Sequence, residues 1–145
     1  MTTSRPNSAI RLWLYTLVYP LHIIEEVSSV GGLHGINLSR TAFFAISGTA
    51  ALMLVAGILL AQKFRFPQFL EIILAAVVIA NAISHIMNSI AIRGYGAGVI
   101  TGTLFFIPLG VTTLFSLRKS MRPLRYFAGI GLGLLMQAVI IVIAW

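Results

Sequence analysis

In the stretch His22-Ile-Ile-Glu25-Glu26 an imidazole stands three and four residues before two adjacent carboxylates, in a chain that holds only three acidic residues. Imidazole and carboxylate are the side chains that bind zinc, iron or manganese, and they are equally the usual pair for general acid and base work. A second histidine, His85, lies in Asn81-Ala-Ile-Ser-His85-Ile-Met-Asn88, and a third, His34, lies in a glycine-rich segment. Cysteine and aspartate are absent. Thiol catalysis, disulfides and thiolate metal sites are therefore excluded, and any carboxylate chemistry must use Glu25, Glu26 or Glu71.

Elements that could position these groups follow from composition. Hydrophobic residues make up 59% of the 145 and charged residues 9%, against roughly a quarter charged in soluble domains. The expectation is an all-α polytopic membrane protein, a single domain of five transmembrane helices after a flexible cytoplasmic tail at 1–9. About 20 apolar residues cross a bilayer, and five stretches qualify: 10–30, 41–61, 68–92, 98–117 and 124–145. No cleavable signal peptide is evident, because Pro20 to Glu26 offers no small-residue cleavage site. The net charge of +7 does not point to nucleic acid, since that needs a clustered basic face. The basic residues instead lie between apolar runs. Arg5, Arg11, Lys63, Arg65, Arg118, Lys119, Arg122 and Arg125 fall on one side, and Arg40 and Arg93 on the other. By the positive-inside rule the N-terminus is cytoplasmic and the C-terminus, ending at Trp145, extracytoplasmic, with the cell membrane as the expected location.

That topology gives the polar residues a depth and a direction. His22, Glu25 and Glu26 fall in the outer half of helix one, and Asn81, Ser84, His85 and Asn88 in the outer half of helix three. Ser47, Thr101, Thr103 and Gln137 fall in the outer halves of helices two, four and five. At about 100° per residue, Tyr15, Tyr19, His22, Glu25, Glu26 and Ser29 share one broad face, and Asn81, His85 and Asn88 make a narrow stripe. An ionised side chain at a membrane helix centre costs about 2.5–3.5 kcal/mol on insertion scales. The two stripes are therefore expected to face each other inside the bundle. Pro20 removes one helical amide hydrogen and predicts an irregularity just before His22.

The signature His22-Ile-Ile-Glu25-Glu26, the stretch NAISHIMNSI and the segment RGYGAGVITGTLFFIPLG together resemble the HXXEE-motif membrane protein family, a family of unknown function, over helices one to four. One departure is local: Tyr95 is followed by Gly96, Ala97 and Gly98, where the family usually carries Tyr-x-Pro-Gly. The resemblance implies that the His and Glu positions form a site, and it brings no reaction.

Three chemistries fit the constellation. His22, Glu25 and/or Glu26, and His85 could ligate one divalent metal, with a glutamate left out of the ligand set as base and Asn81, Asn88, Tyr15 and Tyr19 supporting it. Alternatively, burial disfavours charge on both residue types, so a protonated glutamate and a neutral histidine could act without metal as an isomerase or cyclase of an isoprenoid or lipid. A proton- or ion-coupled transporter is the third option; dry cytoplasmic halves such as LMLVAGILLA and the lack of a repeat count against it. The structural alternative is a His–Glu pair that ties two helices. The expectation is an integral membrane enzyme acting on a lipid-soluble or small amphiphilic substrate among membrane lipids. Glu71 is read as a carboxylate complementing the first turn of helix three, His34 as a loop residue that could join the site, and GIGLGLL (129–135) as a close-packing surface, within the chain or in a homo-oligomer.

Overall fold

The computed structural model describes residues 6–28 and 39–144. His34, Arg5, Ser29 and Trp145, each given a role by the sequence, lie outside the described residues. Among the described residues there is no strand, and five helices account for the fold. They are α1 (Pro6–Ser28), α2 (Arg40–Lys63), α3 (Pro67–Ala91), α4 (Val99–Arg118) and α5 (Pro123–Ala144). Four of them, α2 to α5, are long and apolar enough to cross a membrane. Helix α1 is long enough, and it carries Arg11, His22, Glu25 and Glu26 along its length.

Local chemistry sets the boundaries. Proline, which lacks the amide hydrogen that a first turn leaves unpaired anyway, opens α1, α3 and α5. At α2 the Ser39 hydroxyl accepts the Ala42 amide at 3.1 Å, a side-chain cap. Helix α1 begins at Pro6, four residues before the apolar run, so part of the stretch expected as a tail is helical. It continues through Pro20 as one helix. Helix α4 contains a π turn over Gly102–Phe106, which no sequence pattern announced.

The bundle is built around α3, which packs against all four other helices and buries Ile72, Ile73, Ala75, Ala76, Val78 and Ala82. Glycines let its partners approach. On α5, Gly129 and Gly133 face α3, whereas Gly131 between them faces open space. GIGLG is thus used for packing within the chain. A Cβ at position 133 would lie 2.5 Å from the Ile73 carbonyl oxygen. Gly133→Ala should therefore force α3 and α5 apart and destabilise the bundle by about 1–3 kcal/mol, while Gly131→Ala stays neutral; denaturant unfolding in micelles reads the difference.

Large apolar side chains such as Leu52, Met53, Phe115 and Leu135 point outward, while His22, Glu26, Ser47, Glu71, Thr101, Thr113 and Gln137 are buried. This polar interior and apolar exterior is what a hydrocarbon surround selects. Two polar clusters result. The one at the start of α1 corrects an expectation. Glu71 lies beyond the first turn of α3, fully buried, and its carboxylate accepts the Arg11 Nε hydrogen at 2.8 Å. Arg11 also donates to Ser116 Oγ at 2.8 Å, and nearby Tyr15 donates to Thr113 Oγ1 at 3.1 Å. Glu71 is thus an inter-helix ion-pair partner, not a helix-end charge, and this half of the bundle holds a buried polar cluster of its own. Tyr15, Val78, Ala82 and Phe106 form an apolar core cluster, with the Phe106 ring tilted against His22 of the second cluster.

Candidate metal centre

The second cluster gathers at the end of α1, the end of α3 and the start of α4. His22 and Glu26, one turn apart on α1, both turn inward, and His85 reaches them from α3. His85 Nε2 stands 3.2 Å from Glu26 Oε1, and His22 Nε2 stands 3.6 Å from the same oxygen. One ligand atom from each of the three residues lies within 4.8 Å of the others. Ligands bound at 2.0–2.1 Å in a tetrahedron are separated by roughly 3.3 Å, so the two short separations match a metal-ligand set. His22 and Glu26 are buried and His85 is partly so.

Glu25 does not join the three. Its carboxylate turns to the start of α4, where it accepts the amide hydrogens of Ile100 at 2.9 Å and Thr101 at 2.7 Å. These are amides that a helix start leaves unpaired, and the helix dipole favours an anion there. Glu25 therefore caps α4 from another helix. It also accepts the Tyr95 hydroxyl at 2.6 Å and the Thr101 hydroxyl at 2.5 Å.

Thr101 then links the two motif residues. Its oxygen stands 2.7 Å from His22 Nδ1. A hydroxyl carries one hydrogen, and a carboxylate that already takes two amides and a phenol is an acceptor. Thr101 thus donates to Glu25 and accepts from His22. The hydrogen-bond network assigns the His22 proton to Nδ1 and leaves a lone pair on Nε2. That Nε2 is buried and makes no well-formed hydrogen bond, with the Asn81 side chain beside it. The nitrogen stands 3.6 Å from an oxygen of Glu26, so that a cation or a proton between the two would be held by both.

Gly98 makes the approach of the two rings possible. It sits at φ +83, and a Cβ there would be 2.7 Å from His22 Cε1 and 2.8 Å from His85 Cε1. The His22 and His85 rings meet edge to face with centroids 4.9 Å apart. The π turn of α4 contributes too, since an i to i+5 turn brings residues five apart onto one face. Thr101 and Phe106, both buried, reach the site from that face, and Phe106 lies 4.5 Å centroid to centroid from His22.

The remaining sequence candidates divide. Asn81 lines a cavity of about 220 Å³ beside the cluster, and so does Tyr19, whose hydroxyl donates to the Ser47 carbonyl at 3.2 Å. Tyr15 belongs to the lower core and Thr113. Asn88 stands by the turn at Gly96, away from the cavity wall, and Thr103 is exposed. Tyr95, Gly98, Thr101 and Gln137 work in or beside the site without having been assigned to it. The signal for Tyr95 and Gly98 was their place in the turn before α4, and the signal for Thr101 and Gln137 was their depth.

No curated protein and no solved structure matches the chain. The family model described as "protein of unknown function with HXXEE motif" matches residues 13–113, a stretch that contains His22, Glu25, Glu26, His85, Tyr95, Gly98 and Thr101, so the chain belongs to the HXXEE-motif family.

Proposed function

We propose that the chain is an integral membrane enzyme that binds one divalent metal through His22, Glu26 and His85 and acts on a lipid-soluble or small amphiphilic substrate. The observation that carries this reading is the His22 ring: one nitrogen is committed to Thr101, and the other is buried without a well-formed hydrogen bond, beside a carboxylate and a second imidazole. Histidine ligands are commonly fixed in this way, with the second ring nitrogen donating toward a carboxylate. Two histidines and one carboxylate with open positions suit zinc, iron or manganese and would supply Lewis-acid activation of water or substrate. Glu25 holds the tautomer of His22 through Thr101 and fastens α4 to α1, which divides the two glutamates into ligand and support.

The five-span topology completes the reading. Helix α1 lies against α2, α3 and α4 and turns its charged groups inward, which supports a membrane position for it as well. The charge asymmetry supports a cytoplasmic N-terminus, which would put the metal centre in the outer half of the cell membrane. Transport is disfavoured by the apolar cluster of Tyr15, Val78, Ala82 and Phe106 under the site. The runner-up is metal-free acid–base catalysis by the same residues, because a proton between His22 Nε2 and Glu26 would likewise be held by both.

Metal titration of the purified chain separates the two. Thr101→Val keeps the shape of the side chain and removes the hydroxyl between Glu25 and His22; it should weaken metal binding about 10–100-fold. Gly98→Ala, whose Cβ would strike both imidazoles, should weaken it about tenfold or more. Binding indifferent to both substitutions would remove His22 from the metal's ligands.

A further inference from the structure

Three residues that line one cavity each hold a buried polar atom without a well-formed hydrogen bond: His22 at Nε2, Asn81 at its amide oxygen, which lies beside the His22 ring, and Gln137 at its amide oxygen. The metal reading employs only the first. Gln137 is the more unusual of the other two, because it is 3% exposed on a helix that is otherwise apolar from Gly129 to Ala144. A buried amide oxygen without a donor is disfavoured, and membrane helices seldom hold such a group except where it meets a neighbouring helix or a ligand.

The walls of the cavity describe what would meet it. Phe43, Ile46 and Ala50 of α2 and Ile140 and Ile141 of α5 form its apolar sides. Both α2 and α5 line the space, but α2 packs mainly on α1 and α3, and α5 mainly on α3. Ile46 and Ile140 are each more than two-fifths exposed, so the cavity meets the outside of the bundle between these two helices. In a membrane that outside is hydrocarbon.

We propose that this cavity binds a single-chain lipid alcohol that enters from the bilayer between α2 and α5, with its hydroxyl donating to Gln137 or Asn81 beside the metal centre and its chain along α2 and α5. The proposal rests on the metal reading, which supplies the choice of head group. The amide oxygens require a donor. No lysine or arginine lines the cavity, and Glu26 does, so a carboxylate or phosphate head would be left unneutralised. An ammonium head would be repelled by a metal at His22, Glu26 and His85. A neutral hydroxyl satisfies the acceptors without either conflict.

The test uses the full chain in lipid nanodiscs, loaded with zinc and labelled with a fatty alcohol bearing a photoreactive diazirine on its chain. The expected result is crosslinking to α2 and α5 that dodecanol suppresses and dodecane, dodecanoate and dodecylamine do not. Gln137→Leu should reduce the labelling at least tenfold, and Ile140→Trp, which fills the mouth from an exposed position, should abolish it. Labelling that dodecane or dodecylamine suppresses as well as dodecanol does, or that survives both substitutions, overturns the proposal. Metal content read in the same samples keeps the two claims apart. A metal-loaded chain with labelling indifferent to Gln137→Leu overturns the alcohol pocket and leaves the metal centre standing. A chain that binds no zinc overturns the metal centre; Gln137-dependent labelling that dodecanol suppresses and dodecylamine does not still upholds the pocket, and labelling that dodecylamine suppresses equally overturns both.

Discussion

Purified without chelator, the wild-type chain should hold about one divalent metal ion, and His22→Ala and His85→Ala should each reduce that to background. Each substitution removes one of only three protein ligands and leaves one imidazole and one carboxylate. Neither other glutamate is placed to replace the lost ligand: Glu25 is held by Ile100, Thr101 and Tyr95 on the other side, and Glu71 lies with Arg11 in the other cluster. Asn88→Ala, beside the turn and off the cavity wall, should retain the metal. Elemental analysis of the four proteins checks the set. If His22 and His85 only tied α1 to α3, all four would be equally free of metal and the two histidine variants would merely unfold more easily.

The largest expected loss of stability belongs to the other polar cluster. Arg11→Ala takes the guanidinium away from the Glu71 carboxylate, whose side chain is 0% exposed. Breaking a buried ion pair from one side costs about 3–5 kcal/mol. Because the Arg11 side chain is 24% exposed and its pairing is partly screened, the lower end, about 3 kcal/mol, is expected. Removing both charges as Arg11→Met with Glu71→Met should recover most of the loss, since apolar groups of similar size often serve as well as the pair. Denaturant unfolding in micelles compares the single and double variants. A single variant as stable as wild type would mean that Glu71 draws its stabilisation elsewhere. Metal content of the double variant should equal that of wild type, because the two clusters are separate.

Both clusters were partly legible in the sequence, to different degrees. Helix positions were readable because apolar runs end at strong punctuation, as at Pro67, Pro123 and Gly98, where backbone chemistry is local. His22, Glu26 and His85 were readable as one group because helical phase and depth are properties of single helices, and three charged or polar residues in hydrocarbon have few other places to go. The division between Glu25 and Glu26 was not. Adjacent residues differ by about 100° on a helix, and which of them turns toward His85 is decided by the amides of Ile100 and Thr101, some 75 residues away in the chain. The same holds for Glu71. Its place near the start of α3 suggested a role with the helix dipole, but its partner is Arg11 on another helix, a choice no local pattern encodes. The π turn escaped for a related reason: it is defined by where Thr101 and Phe106 must both point, and only the packed bundle supplies that requirement.

X-ray absorption at the edge of the bound metal tests the centre itself. With zinc in the wild-type chain, the spectrum should require two imidazole nitrogens and one carboxylate oxygen from the protein, and His22→Ala should lose one imidazole from any metal forced into it at high concentration. A zinc shell made of oxygen ligands alone, or one unchanged by His22→Ala, would contradict a centre built from His22, Glu26 and His85.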